Sequence, residues 1–210
     1  MRNRSKLLLA GLSAALVLAT AVGTASANRL SVSELEFRIN WAALTFSADD
    51  LAQRITCGVT LLGRFHSRTI TKTAGLLIGN VTSATIGVCT GDTGATVLQA
   101  TLPWHVTYRN FAGRLPAITG VGLNLINASF QVRTEDGSNC LARTTTTEPG
   151  VGIANVASGQ VSTLTAEPNS QIDITDLPET FLCDLGGDSS FNGTGDVRTP
   201  AGGLVFISLI

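Results

Sequence analysis

Leu35-Glu36-Phe37-Arg38-Ile39-Asn40-Trp41 alternates apolar and polar side chains without a break, and that alternation decides the fold. A period of two puts Leu35, Phe37, Ile39 and Trp41 on one face of an extended chain and Glu36, Arg38 and Asn40 on the other. This is the pattern of a half-buried strand, not of a helix. Ile55, Cys57, Val59 and Leu61 alternate in the same way with Thr56, Gly58 and Thr60. Thr69–Thr71, Leu76–Val88, Val97–Tyr108, Val121–Val132 and Val161–Thr165 are further β-rich runs. Leu204–Ile210 is apolar on both faces and reads as a central or covered strand. Threonine, whose branched Cβ suits a pleated surface, abounds where helix formers such as Lys, Glu, Gln and Met are scarce. Turns are expected at Gly91–Gly94, Asp136–Asn139 and Gly186–Gly195. The one helical turn expected is Ser47–Arg54, with Ser47 as its cap and Asp50 three residues on. The reading is all-β: an antiparallel sandwich or barrel of about eight to ten strands.

Residues 1–27 set the compartment. Arg2, Arg4 and Lys6 precede an apolar run from Leu7 to Val22, and Ala25-Ser26-Ala27 is a small-x-small cleavage site. That order is a secretory signal peptide, which makes residues 28–210 a single exported all-β domain and its location extracellular. The apolar run is interrupted by Gly11, Ser13 and Thr20 and is short for a spanning helix. Cleavage removes three of the 14 basic residues and none of the 15 acidic ones, for a net charge of about −4. Lys72 is then the one lysine left, so a phosphate-neutralising patch is missing and nucleic acid is not an expected partner. Strong membrane binding is not expected either. A membrane barrel needs aromatic girdles, and one Tyr with two Trp are too few for them.

Cys57, Cys89, Cys140 and Cys183 are even in number, widely spaced and exported, which favours disulfides. No C-x-x-C and no neighbouring histidine points to zinc or thiol redox chemistry. Closure between sequence neighbours suits a chain of hairpins and predicts Cys57–Cys89 with Cys140–Cys183. Each loop would contribute roughly 3–4 kcal/mol in the chain-entropy model.

Two blocks carry a resemblance. Ile55–Gly91 contains C-G-V-T-L-L-G-R-F-H and then a second cysteine; Leu102–Ile118 reads L-P-W-H-V-T-Y-R-N-F-A-G-R-L-P-A-I. In this order they resemble a group of secreted proteins of actinobacterial type with no assigned function. The resemblance implies export and a shared β fold, and it brings no catalytic residue with it.

Candidate sites stand beside plainer explanations. Gly187-Asp188-Ser189 has the shape of a trypsin-like nucleophile motif, with His66 and Asp92 preceding it in the right order. Ser190-Phe191, however, occupies the place of the two glycines that build the oxyanion hole. Asp173 and Asp176 are a second carboxylate pair, but their spacing of three puts them on opposite faces of a strand. Asp188, Ser190, Asn192 and Asp196, with Gly193, follow the alternate-oxygen pattern of a calcium loop. Thr199 stands where a closing Glu belongs, and a glycine-rich surface turn explains the same composition. Calcium is the one cofactor with candidate ligands. His66 and His105 are the only histidines, and neither has a carboxylate two or four residues away. Trp104 and Tyr108 share a strand face and form a candidate binding surface for sugars, although a core so poor in aromatics has its own need of them.

The expected function is therefore a secreted, disulfide-stabilised β-domain with a binding or structural role, an envelope or extracellular partner and no catalysis. A Ser189-based secreted hydrolase and an envelope-associated β-barrel are the alternatives.

Overall fold

The computed structural model describes residues 29–48, 53–90, 94–114, 117–133, 139–167, 173–176 and 189–210. In chain order the strands are β1 (Arg29–Val32), β2 (Glu36–Ala48), β3 (Gln53–Phe65), β4 (Thr69–Thr71) and β5 (Leu77–Cys89). They continue as β6 (Gly94–Val97), β7 (Trp104–Arg114), β8 (Ala117–Ile126), β9 (Ser129–Arg133) and β10 (Asn139–Arg143). Last come β11 (Gly150–Ala157), β12 (Gln160–Ala166), β13 (Asp173–Asp176), β14 (Ser189–Arg198) and β15 (Val205–Leu209). A 3-10 turn at Gln99–Thr101 is the only helical element among the described residues.

Eight strands close into a ring. β11, β8, β7, β5, β3, β2, β14 and β12 pair in that order, and β12 pairs back to β11. Every one of these pairings is antiparallel. The fold is a barrel, and closure removes the unpaired edges that an open sheet would present. β15, β1 and β4 extend from β12 as a three-strand flap, and β13, β10, β9 and β6 form a separate four-stranded sheet.

The alternation seen in the sequence becomes inside and outside. Phe37, Ile39 and Trp41 are buried on β2, as are Ile55, Cys57, Val59 and Leu61 on β3. A bulge between Trp41 and Leu44 then shifts the parity of β2, so that Leu44 and Phe46 also point inward. Outside, Asn155, Thr163, Asp196, Asn40, Thr60 and Thr85 stand side by side in register across six neighbouring strands. Asn155 Nδ2 donates to Thr163 Oγ1 at 3.0 Å, and Thr60 Oγ1 donates to Asn40 Oδ1 at 2.8 Å. An apolar interior with this polar row outside is the inverse of a lipid-embedded barrel. Among the described residues no helix is long and apolar enough to cross a membrane.

Antiparallel neighbours make strand starts and strand ends alternate round the ring, so each mouth has a definite membership. One mouth gathers the ends of β2, β5, β8 and β12 with the starts of β3, β7, β11 and β14. The small sheet plugs it: the Phe130 ring on β9 lies 5.5 Å from Phe46, 5.6 Å from Phe191 and 5.1 Å from Trp104, all edge-on. At the other mouth Phe37 and Phe65 pack with their rings 4.9 Å apart. Leu30, Val32, Ile70 and Ile207 of the flap are buried in the same core.

Four expectations need correction. The Ser47–Arg54 segment is not a helical turn at its ends: Ser47 pairs with Arg54 and Ala48 with Gln53 in the β2–β3 ladder, and residues 49–52 lie outside the described set. The Ser47 hydroxyl does not cap a helix but lies 2.9 Å from the Ser190 hydroxyl on the neighbouring strand. Val97–Tyr108 is not one strand, because the 3-10 turn separates β6 from β7. Leu204–Ile210 is not covered on both faces: Val205 and Ile207 are buried, while Phe206 is 45% exposed. Finally, of the expected turn Gly186–Gly195, residues 186–188 lie outside the described set and the rest is not a turn but part of β14, where Ser189–Asn192 pair with β2 and Gly193–Gly195 with β12.

Candidate functional site

The interior of the barrel holds a cavity of about 130 Å³. Ile39, Trp41, Leu61, Val106, Leu123 and Phe191 are among its lining residues, and among the described residues no ionisable side chain lines it. Its room comes from small residues on the inner face of two strands: Gly150, Gly152 and Ala154 on β11 and Ala166 on β12 all line it. A barrel of eight strands is just wide enough for side chains to fill or for one small ligand to occupy. Here the small residues leave the second option.

Trp41 is the distinctive wall. It is 4% exposed, and a Cβ at Gly195 would lie 2.8 Å from its ring, so the indole rests flat against the β14 backbone at a place only glycine permits. Its Nε1–H is buried without a hydrogen-bond partner. Buried donors are nearly always paired, so this one is an exception, and it is closed off from the cavity that the ring lines. The contrast with Trp104 is direct: that indole is fully buried and donates to Thr101 Oγ1 at 2.9 Å. Asn124 is the other polar lining residue, and its Oδ1 is buried and unpartnered as well.

The residues singled out from sequence are distributed as follows. Trp104 and Tyr108 do not form a surface; both are in the core, at 0% and 3% exposure. Desolvation pushes the Tyr108 phenol above its ordinary value of 10.0. His66 is exposed just past the end of β3, whereas Ser189 is buried opposite Ala48 on β14. The β2–β3 ladder separates them by roughly 40 Å of extended strand, far beyond hydrogen-bond reach for a nucleophile and its base. Asp92 lies outside the described residues. His105 sits on the outer face of β7, opposite Asn80 and Ile126.

Ser190, Asn192 and Asp196 are strand residues, and Asp188 lies outside the described set. Ser190 is buried and bonded to Ser47, while Asn192 and Asp196 face solvent. An extended strand spreads alternate side chains by roughly 7 Å. It does not wrap them round one ion at calcium–oxygen distances of about 2.3–2.6 Å. Among the described residues no three His, Cys, Asp or Glu side chains gather as metal ligands. Asp173 and Asp176 lie on β13, where they pair with Arg143 and Cys140.

Cys57 and Cys89 are joined, as sequence proximity predicted, across the β3–β5 ladder. Cys140, fully buried on β10, is also disulfide-bonded, and Cys183, its expected partner, lies outside the described residues.

Sequence reading placed Trp41 on an apolar face but missed the cavity. The signal for it lies in β11, where Gly150, Gly152 and Ala154 alternate with Val151, Ile153 and Asn155. Small residues on the inward face mark unfilled space only once the strand is known to be part of a closed ring. The chain matches no family model, no curated protein and no solved structure.

Proposed function

We propose that this chain is an exported, disulfide-stapled β-barrel that binds a small apolar molecule in its interior and carries out no catalysis. The observation that supports binding is the cavity in the barrel, with an apolar wall and, among the described residues, no ionisable group. Such sites are apolar pockets with a few placed polar atoms. The basic, apolar and small-residue order of residues 1–27 and the oxidised cysteines support export.

A ligand bound only by the folded state raises stability by RT ln(1 + [L]/Kd), so saturating methylenecyclohexane should raise the melting temperature in a dose-dependent way. Ala154→Phe and Ala166→Leu, which fill the cavity from two strands, should each abolish that rise. An unchanged melting temperature across the titration of the native protein would leave a structural role instead. Export is checked by the mass of the protein in the medium, which should correspond to a chain starting at Asn28. Ester turnover by the native protein above that of Ser189→Ala would restore the hydrolase.

A further inference from the structure

The last strand is apolar on both faces, and only one of those faces meets the core. Val205 and Ile207 point inward and line the cavity together with Val32 and Ile70, so the flap lies across the mouth opposite the small sheet. Leu204, Phe206 and Ile210 have the other parity and are 43%, 45% and 56% exposed. Next to them on the outer face, Ser31 on β1 and Thr69 and Thr71 on β4 are polar, as water requires. Leu76 and Leu77, at the start of β5, are exposed at the same mouth. Five of the six large apolar side chains exposed among the described residues thus lie at one end of the barrel. The sixth, Val88, is near the end of β5 at the other mouth. Exposed apolar groups gathered in this way mark a protein or membrane contact.

Charge favours the membrane. Arg29, Arg64, Arg68, Lys72 and Arg114 stand at the flap end against Glu34 and Glu36, in a chain whose net charge is −1. One step further in, Arg38 and Arg198 pair in register beside Asp196 and keep the excess positive. The other acids among the described residues, Glu148, Glu167, Asp173 and Asp176, lie towards the small sheet. Anionic headgroups attract such cations while the bilayer interface takes up the apolar side chains between them. The polar row on the barrel wall keeps the contact to the mouth. We propose that the flap end docks reversibly on an anionic lipid bilayer, with Phe206 and Ile210 entering the interface and Arg29, Lys72 and Arg114 facing the headgroups. This sets the strand that roofs the cavity against the phase in which apolar molecules dissolve. Docking stands on the flap surface and interior binding on the cavity, so either can fail alone.

The test compares vesicles of equal parts phosphatidylglycerol and phosphatidylcholine with vesicles of phosphatidylcholine alone. Every protein carries the same N-terminus, so residues 1–27 contribute equally throughout. The anionic vesicles should bind at least about tenfold more tightly, less so as salt rises. Arg29→Gln and Arg114→Gln should each weaken that binding about fivefold. Arg133→Gln, which removes the same charge from β9 at the other end, should leave it within about twofold. Phe206→Ser should weaken it about fivefold through lost apolar burial. Phe206→Trp should move to shorter emission wavelength on the anionic vesicles. Equal binding to the two vesicle types, or equal losses in Arg133→Gln and Arg114→Gln, would overturn the proposal. A dimer that Phe206→Ser dissociates, without vesicle binding, would assign the face to a second copy and overturn it too. Should Phe206→Ser fail to fold, Phe206→Trp still decides: unshifted emission removes position 206 from any bilayer contact.

Discussion

The barrel and the small sheet are built from the same kind of strand and held in different ways. In the barrel every strand has a neighbour on both sides, and its longest ladder joins the 13-residue strands β2 and β3. The small sheet has strands of four or five residues and two edges, β13 and β6. Its buried residues, Phe130, Val132, Ala95 and Ala142, belong to the same core as the barrel's. A closed ring is supported by its own hydrogen bonds, whereas a short open sheet is marginal until it packs on something. Phe130 is where that packing concentrates.

Phe130→Ala is thus expected to have the largest effect, about 3–5 kcal/mol in denaturant unfolding, because it empties the joint among Phe46, Phe191 and Trp104. Amide exchange should quicken first in β9 and β10 and least in β2 and β3. Equal loss of protection in both regions would mean that the two sheets unfold as one unit. Next comes the wall itself. Replacing Cys57 and Cys89 by serine opens a loop spanning 32 residues and should cost about 3–4 kcal/mol, chiefly through a freer unfolded chain. Exchange should then quicken evenly; a loss confined to β3 and β5 would show that the disulfide holds the wall locally.

A step smaller is Ser47→Ala, which leaves the buried Ser190 hydroxyl without its partner on β2 and should cost about 1–2 kcal/mol. A double variant with Ser190→Ala should recover part of that loss, and no recovery would deny the pair its role. Tyr108 contributes only in alkali. Burial raises its pKa in the folded state, so its contribution is whole below about pH 10 and is lost as the pH climbs through the raised value. Melting curves from pH 9 to 11.5 should fall less steeply for Tyr108→Phe than for the native protein, and superimposable slopes would remove Tyr108 as the cause. Least of all is Arg109→Ala. It breaks the 2.8 Å ion pair with Glu167 on the exposed outer face and should cost no more than about 0.5 kcal/mol, fading with salt.

Much of this architecture was legible in the chain. The inward sides of β2 and β3 followed from strict alternation, since a one-residue slip would turn every apolar side chain outward. The Cys57–Cys89 link followed from proximity in a chain of hairpins. Less legible was β14. Ser189-Ser190-Phe191-Asn192-Gly193-Thr194-Gly195-Asp196 has the composition of a turn, and local propensity alone would keep it one. It is a strand because β2 and β12 each offer it a ladder, and because Gly195 lets the Trp41 ring lie against it. The calcium and nucleophile readings were drawn from the same misleading composition.

The sequence by itself determined that the chain is β, which sides of its first long strands face inward, and that its cysteines pair. Each is a local property, set by a side-chain period of two or by nearness along the chain. The tertiary structure alone decided that the strands form a closed ring, because the final β11–β12 pairing depends on where every other strand has gone. It also decided that the glycines and alanine of β11 surround a cavity and that the Trp41 indole is left without a partner beside it. Empty space and an unpaired donor belong to residues brought together from distant strands, and no stretch of sequence contains them.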